Sequence, residues 1–348
     1  MSSSSAAPLR LRLDREALVS NWRWLRAVGG DAACGAAIKA NGYGLGSRQV
    51  MAHLAAAGCR DFFVATWAEA EALMPLPEGV SLSVLHGVRA EDMPAALSGV
   101  ARPVLNTPEQ VARWRKAGGG ACDVMIDTGI NRLGLDWRQD CAALTEGLTI
   151  HTLMSHLACA DEDHALNAQQ RDRFADVAQK VKAGRLSLSN SAGILLGESY
   201  RFGLTRPGLA LYGGMPRAEA ESGIRQVVFP QAQILQRRKI RAGDTAGYSA
   251  TFTATQDVEA AILNLGYADG YLRGFSGRGA ALVEGVRLPV LGRVSMDLLI
   301  IDVSAQPDLA EGDWVDIEYD LRIASAQSGL SHYELLTGLG ARYDRIWA

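Results

Sequence analysis

Six polar residues stand where short apolar runs give way to loops: Lys39, Arg132, His156, Asn190, Ser191 and Arg206. Lys39 directly follows the run CGAAI. A lysine drawn out of water gives up its proton more readily and is the side chain that forms Schiff bases with carbonyls. The glycines of GYGLG at 42–46 let main chain approach a ligand closely, although the stretch is neither GxGxxG nor a P-loop. One lysine and two arginines form a cation-rich group suited to an anion such as a phosphate or carboxylate. Taken singly, a strand-end lysine is ordinarily a stem reaching solvent, and a histidine is ordinarily a bonded core residue. The six carry chemistry only if the fold gathers them.

They are spread over about 170 residues, so the elements between them decide the matter. Eight apolar runs alternate with helical patterns: 32–39, 61–66, 81–87, 102–106, 122–128, 148–158, 185–191 and 201–208. Strands alternating with helices imply a parallel sheet. Eight such units in about 190 residues imply a closed (β/α)8 TIM barrel, with a doubly wound sheet as the alternative if the strand count is off. A barrel would bring the C-terminal ends of its strands, and these six residues, to one face. The segment TPEQVARWRKAG shows how a connecting helix is punctuated, with Thr107 at the N-cap, Pro108 at N1, Gln110 at N3 and Gly118 beyond the end. After about residue 225 the long helical runs stop and alternating segments punctuated by Gly and Pro take over. The reading is a barrel over 14–225 and a mainly β C-terminal domain over 226–348. The alternating LRLRL at 9–13 is expected to pair with that second domain.

Composition narrows the function classes. Lys plus Arg number 35 against 38 Asp plus Glu, a net charge of −3, which gives no global pull toward nucleic acid or an anionic membrane. No apolar stretch approaches the roughly 18 residues of a membrane span. MSSSSAAPLR lacks the apolar core of a secretory signal, and its serine run reads as a tail. A cytoplasmic protein is expected. Five scattered cysteines without a CxxC pair read as reduced thiols, and the six histidines show no metal-ligand spacing, so no metal is expected.

The segment AAIKANGYGLG (36–46) closely resembles the pyridoxal phosphate (PLP) attachment signature of the alanine racemases. Seven further blocks resemble that family in order: DTGINRLGL (127–135), SHLACADE (155–162), LSNSAG (188–193), TRPGLALYG (205–213), AGYSATFTA (246–254), LGYADGYLRG (265–274) and LGRVSMD (291–297). The resemblance runs from about residue 9 to the C-terminus. It implies that Lys39 carries PLP covalently and, once freed, is one of two catalytic acid–base groups; Tyr248 of the neighbouring subunit is the other. His156 and Arg206 would form a network with Tyr248, and Arg206 would face the pyridine nitrogen. Tyr43, Ser191 and the backbone of Gly208 and Leu209 would hold the phosphate, with Asn190 beside them. Arg132 and the backbone of Met296 would hold the substrate carboxylate. Tyr267, Asp161, Arg273 and Arg293 would line the entrance. The implied protein is a homodimer with shared active sites that interconverts L- and D-alanine for peptidoglycan, with a serine or broad-specificity racemase as the alternative.

The sequence departs from the family at three places. Met125 stands where many members carry a carbamylated lysine that orients the substrate-binding arginine, and a substitute anion beside Arg132 is expected. Ser187 replaces a histidine that supports the pyridine-facing arginine. Ala341 falls where a phosphate-binding tyrosine is common, with Tyr343 close by. A non-catalytic single-barrel PLP protein would lack the residues after the barrel. A barrel-type decarboxylase would need cysteine and aspartate motifs that are absent.

Overall fold

The computed structural model describes residues 7–348, so the serine run lies outside the described residues. The chain divides into two compact units, residues 16–225 and residues 1–15 with 226–348.

The first unit is a (β/α)8 barrel. Its first strand is Ala33–Cys34 continued as Ala36–Ala37, followed by Asp61–Val64, Ser81–Val84, Arg102–Leu105, Cys122–Asp127, Ile150–Met154, Arg185–Ser187 and Leu204–Thr205. Each pairs in parallel with the next from Ala36–Ala37 to Arg185–Ser187. Gly203 N donates to Leu186 O at 3.1 Å and links the seventh strand to the eighth. Leu204–Thr205 then pairs with Ala33–Cys34 and closes the ring. The strands are short and apolar, as strands covered on both faces must be; Phe62, Val64, Val104, Val124 and Leu153 are fully buried. Helix Pro108–Lys116 begins as its sequence predicts, with Thr107 Oγ1 accepting from Gln110 N at 3.2 Å.

Closure also gathers the first residues of the strands, at the opposite end from their loops. Arg185 pairs bidentately with Asp61 and donates to Thr152 Oγ1 at 3.1 Å. Ser81 Oγ donates to the same carboxylate at 3.0 Å and accepts from Arg102 at 3.2 Å. Arg102 Nε lies 3.6 Å from the fully buried Asp123, which also accepts from Ser83 Oγ at 2.6 Å. His151 Nδ1, 3.7 Å from Asp123 and 3.1 Å from Thr152 Oγ1, completes a polar ring.

The second unit is built on Val228–Ile240, thirteen residues long. It pairs antiparallel with Leu9–Leu13, Trp314–Ile317 and Val258–Leu263, and a bulge between Ile234 and Gln236 lets it serve both halves of the sheet. Leu9–Leu13 alternates as its sequence suggests, with Leu9, Leu11 and Leu13 buried, and pairs in parallel with Asp344–Trp347. Two short helices, Leu321–Ser328 and His332–Thr337, interrupt the strands. The disappearance of long helical runs hid them. Their signals are local: Asp320 accepts from Arg322 N and Ile323 N, and Ser331 with Glu334 forms a capping box.

The Asp61–Arg185 pair offers a test of the closed barrel. Burial alone would raise the Asp61 carboxyl, but the hydrogen bonds and charge of Arg185, with Ser81 and Arg102, hold it below the usual carboxylate range. Arg185→Met removes the main partner of this acid, leaving only Ser81 and Arg102, and lowers the unfolding free energy by about 1–3 kcal/mol at neutral pH, measured by denaturant titration. A depressed folded value means the contribution is complete above the unfolded carboxylate value and is lost as pH falls through the depressed one. The gap between wild type and variant therefore narrows on acidification, and a gap that stays constant down to about pH 3 contradicts the pairing.

Candidate active site

Lys39 follows Ile38 at the end of the first strand and opens an unusual turn. Ala40, Asn41 and Gly42 have φ of 52°, 53° and 63°, and Tyr43 has φ of 52°. A non-glycine residue in this left-handed region costs roughly 1–2 kcal/mol, so the turn needs external support. Glu69 supplies part of it, accepting from Ala40 N at 2.7 Å while closing the capping box of helix Trp67–Ala72. Asn41 Oδ1 accepts from Ser47 N at 3.1 Å. Tyr43 is thereby buried and stacked on Tyr212, with ring centroids 4.6 Å apart.

Around Lys39 the barrel collects positive charge. Burial lowers the Lys39 ammonium value; Arg132 and Arg206 lower it further against the opposing pull of Glu69. His156 is driven down to about 3 by burial and by Arg206, Arg132 and Lys39, so it is neutral at physiological pH. Burial also lowers Arg206, to about 10, with Asp123 opposing the shift, and its guanidinium keeps its charge at neutral pH. Arg206 is 7% exposed and donates to Ser187 Oγ and, at 2.5 Å, to Ser155 O. Ser187 Oγ passes its own proton to Leu204 O at 2.6 Å. Serine thus occupies the supporting position where the resemblance implied a histidine.

Beside this group lies a cradle. Gly208 N and Ala210 N both donate to Ser191 Oγ, at 2.9 and 3.2 Å, which leaves the Ser191 hydroxyl proton free to donate elsewhere. The Gly208 N–H is committed to Ser191 and is not a ready donor to an anion, whereas Leu209 opens the 3-10 turn Leu209–Tyr212. A Cβ on Gly208 would stand 2.2 Å from Tyr43 Oη, so only glycine fits against that ring. Asn190 caps the next turn, its Oδ1 accepting from Gly193 N at 2.9 Å.

Asp127 organises the loop that carries Arg132. Its carboxylate accepts from Gly129 N, Asn131 N and Arg132 N at 2.9, 3.1 and 2.9 Å. Among the described residues no carboxylate pairs with the Arg132 guanidinium, and Arg132 is exposed in the chain. Met125 is buried below this loop. Asp161 is exposed.

The remaining sequence candidates lie in the second unit. Tyr248 sits at the tip of a hairpin between Thr245–Ala246 and Phe252–Thr253 and is 64% exposed. Arg293 donates to its neighbour Ser249 at 3.0 Å. Tyr267 and Met296 belong to two joined loops: Tyr267 N donates to Ser295 O and Ala268 N to Met296 O, both at 3.0 Å. A Cβ on Gly266 would lie 2.2 Å from Met296 O. Arg342 bolts the two loops together, bidentate to the fully buried Asp269 at 2.7 and 2.8 Å and bonded to Asp297 at 2.7 Å. The Arg273 guanidinium lies 5.4 Å from the centroid of the Tyr267 ring. Tyr343 is buried in this unit and Ala341 is exposed, so Tyr343 does not stand in for a tyrosine at 341.

Asp127 and Ser155 escaped the sequence reading. Asp127 did carry a signal, an acid opening DTGINR at the spacing of a loop cap. Asp127→Ala strands three N–H groups. It should lower the unfolding free energy by roughly 1–3 kcal/mol and speed amide exchange at Asn131 and Arg132. Unchanged exchange at both would show that the carboxylate does not organise the loop.

The chain is similar to known proteins over both units. Residues 13–216 match the family model described as alanine racemase, N-terminal domain, and residues 227–347 match alanine racemase, C-terminal domain. A protein of Methylobacterium nodulans named alanine racemase is 42% identical, covering 99% of this chain and 97% of its own length. Agrobacterium fabrum proteins named catabolic and biosynthetic alanine racemase are 39% and 38% identical, covering 99% and 97% of this chain and 93% of their own lengths. The crystal structure of alanine racemase from Bartonella henselae with covalently bound pyridoxal phosphate superimposes with a TM-score of 0.90 at 34% identity, covering 99% of this chain and 100% of that one. A strand-end lysine with a lowered proton affinity, a glycine-only cradle beside it and family matches over both units lead to one statement: the chain belongs to the alanine racemase family.

Proposed function

We propose that this protein is a PLP-dependent alanine racemase, interconverting L- and D-alanine and supplying the D-enantiomer for peptidoglycan. The observation that carries the reading is Lys39, a half-buried strand-end lysine with a lowered proton affinity beside the Ser191–Gly208–Tyr43 cradle. These residues suit the cofactor: the Ser191 hydroxyl proton, the Leu209 turn and Tyr43 would hold its phosphate, and Arg206 would meet its ring nitrogen. Bound PLP supplies an electron sink that lets the α-proton of an amino acid leave.

The residues do the rest. Lys39 Nζ, its proton affinity lowered by burial and by Arg132 and Arg206, takes the α-proton on one face and returns it there; a group on the opposite face must supply the other stereochemistry. Tyr248 of the partner subunit is that group in this reading. Arg206 keeps its proton and cannot accept a hydrogen bond, so it would leave a pyridine nitrogen placed against it unprotonated, which would weaken the electron sink. Arg132, with the backbone of Met296, holds the substrate carboxylate. His156, already neutral, adds no charge to compete with Arg206. Tyr267, Asp161, Arg273 and Arg293 line the entrance.

The same reading makes the protein a homodimer with shared sites. Its support is that Tyr248 and Met296, both assigned to the active site, are 64% and 53% exposed in the single chain. No helix among the described residues is long and apolar enough to cross a membrane, and all five thiols are free, four of them buried. Both fit a protein of the reducing cytoplasm.

Three measurements test this. Purified protein supplied with PLP racemises alanine faster than serine and other L-amino acids; a serine preference would move the assignment to the broader racemases. Borohydride reduction followed by peptide mapping places the pyridoxyl label on Lys39, and a label on another lysine refutes the attachment. Mixed Lys39→Ala and Tyr248→Phe proteins, each inactive, regain activity on subunit exchange, because half of the sites in each heterodimer carry both native groups. Confirmed heterodimers without activity would rule out shared sites.

A further inference from the structure

Helix Ala165–Ala178 buries a polar edge toward the barrel. Asn167 and Gln170, three residues apart on one face, are 3% and 0% exposed, and Arg173 follows at the same spacing. Buried amides of this kind cost stability unless bonded, and these are bonded to two loops. Asn167 Nδ2 donates to Cys159 O and Glu162 O, both at 2.9 Å. Gln170 Nε2 donates to His156 O at 3.0 Å and to Thr128 Oγ1 at 3.2 Å, and its Oε1 accepts from Ala158 N at 2.8 Å. Arg173 donates to Thr128 O at 2.9 Å. One helix face therefore grips the loop after the fifth strand, which leads to Arg132, and the loop after the sixth, which carries His156.

The donors run in one direction. Ser155 Oγ donates to Ile126 O at 2.7 Å, so in its 2.8 Å contact with Thr128 Oγ1 it accepts. Thr128 Oγ1 in turn accepts from Gln170. The main chain of Ser155, held by this hydroxyl chain, offers its carbonyl to Arg206 at 2.5 Å. Only one orientation of the Gln170 amide satisfies both Ala158 N–H and His156 C=O.

We infer that Gln170 is a positioning residue of the racemase: it sets His156 and, through Thr128 and Ser155, the Ser155 carbonyl that holds Arg206. This rests on the reading of His156 and Arg206 as parts of the site. Gln170→Met keeps the side-chain length and removes all three bonds. Gln170→Glu keeps the acceptor for Ala158 N–H but loses both donors, until protonation of the introduced carboxyl restores one.

In the holoenzyme, kcat of Gln170→Met falls roughly 100-fold with KM changed less than about threefold, and the Ala158 amide exchanges with deuterium at least about tenfold faster. Gln170→Glu recovers relative to wild type as pH falls. Phe174→Leu, which loosens the fully buried ring on the same helix, lowers Tm and leaves kcat unchanged. Should Gln170→Met fail to fold, Thr128→Val removes the hydroxyl chain alone and is expected to lower kcat about tenfold. Unchanged Ala158 exchange in Gln170→Met overturns the clamp. Faster exchange with unchanged kcat, or kcat losses in Gln170→Met and Phe174→Leu that simply follow Tm, overturns the positioning role. A wild-type protein without racemase activity overturns the underlying reading of the site and leaves the exchange measurement to decide the clamp.

Discussion

The burial of a cluster of cations where the strands end sets the proton affinities of this barrel. Burial is the largest cause for Lys39, His156 and Arg206 alike; Arg132 and Arg206 lower Lys39 further, and Arg206, Arg132 and Lys39 lower His156 further. Arginine starts from so high a proton affinity that Arg206 keeps its charge even when lowered to about 10, whereas His156 falls to about 3 and is neutral. Burial together with two permanent cations thus leaves the histidine neutral and lowers the proton affinity of Lys39. The two hydrogen bonds from Arg206 to Ser187 and Ser155 O are uncharged contacts that leave its charge uncancelled.

The compensating negative charge sits lower in the barrel. Asp61 and Asp123 lie near the opposite ends of the strands, engaged with Arg185 and Arg102. Asp123 is close enough to pull the Arg206 value upward without touching it. The barrel therefore separates charge by layer: ion pairs in the ring at the strand starts, and an excess of cations where the strands end. The lower layer ties the strands of the closed sheet together, and the upper layer holds the residues proposed to form the site. Closure by two short strands, Leu204–Thr205 on Ala33–Cys34, sets Arg206 beyond one of them and Lys39 just after the continuation of the other.

Much of this was legible in the chain. Eight apolar runs at the β/α period gave the barrel, because a strand buried on both faces has no polar alternative to disguise it. Lys39, Arg132, His156, Ser191 and Arg206 stood out as polar residues interrupting such runs. Asn167, Gln170 and Arg173 did not. They lie in mid-helix among other polar residues, and their partners are mostly main-chain atoms of loops, which leave no mark on residue type. Ser155 was read as strand, and its role depends on a neighbour 51 positions away. The helices Leu321–Ser328 and His332–Thr337 carried capping signals that were outweighed by the strand-rich context around them.

Arg342 joins the loops of Tyr267 and Met296 through two carboxylates, one wholly buried and one at the surface. Gly266 leaves no room between their main chains. The loops can therefore shift together but not apart. Residues joined through one ion-pair network do not contribute independently. Substitutions at Tyr267 and at Met296 would accordingly show epistasis, each altering the loop that the other occupies. Along an evolutionary path the order of substitution would matter, and Arg342, though assigned no part in holding substrate, would determine which orders remain open.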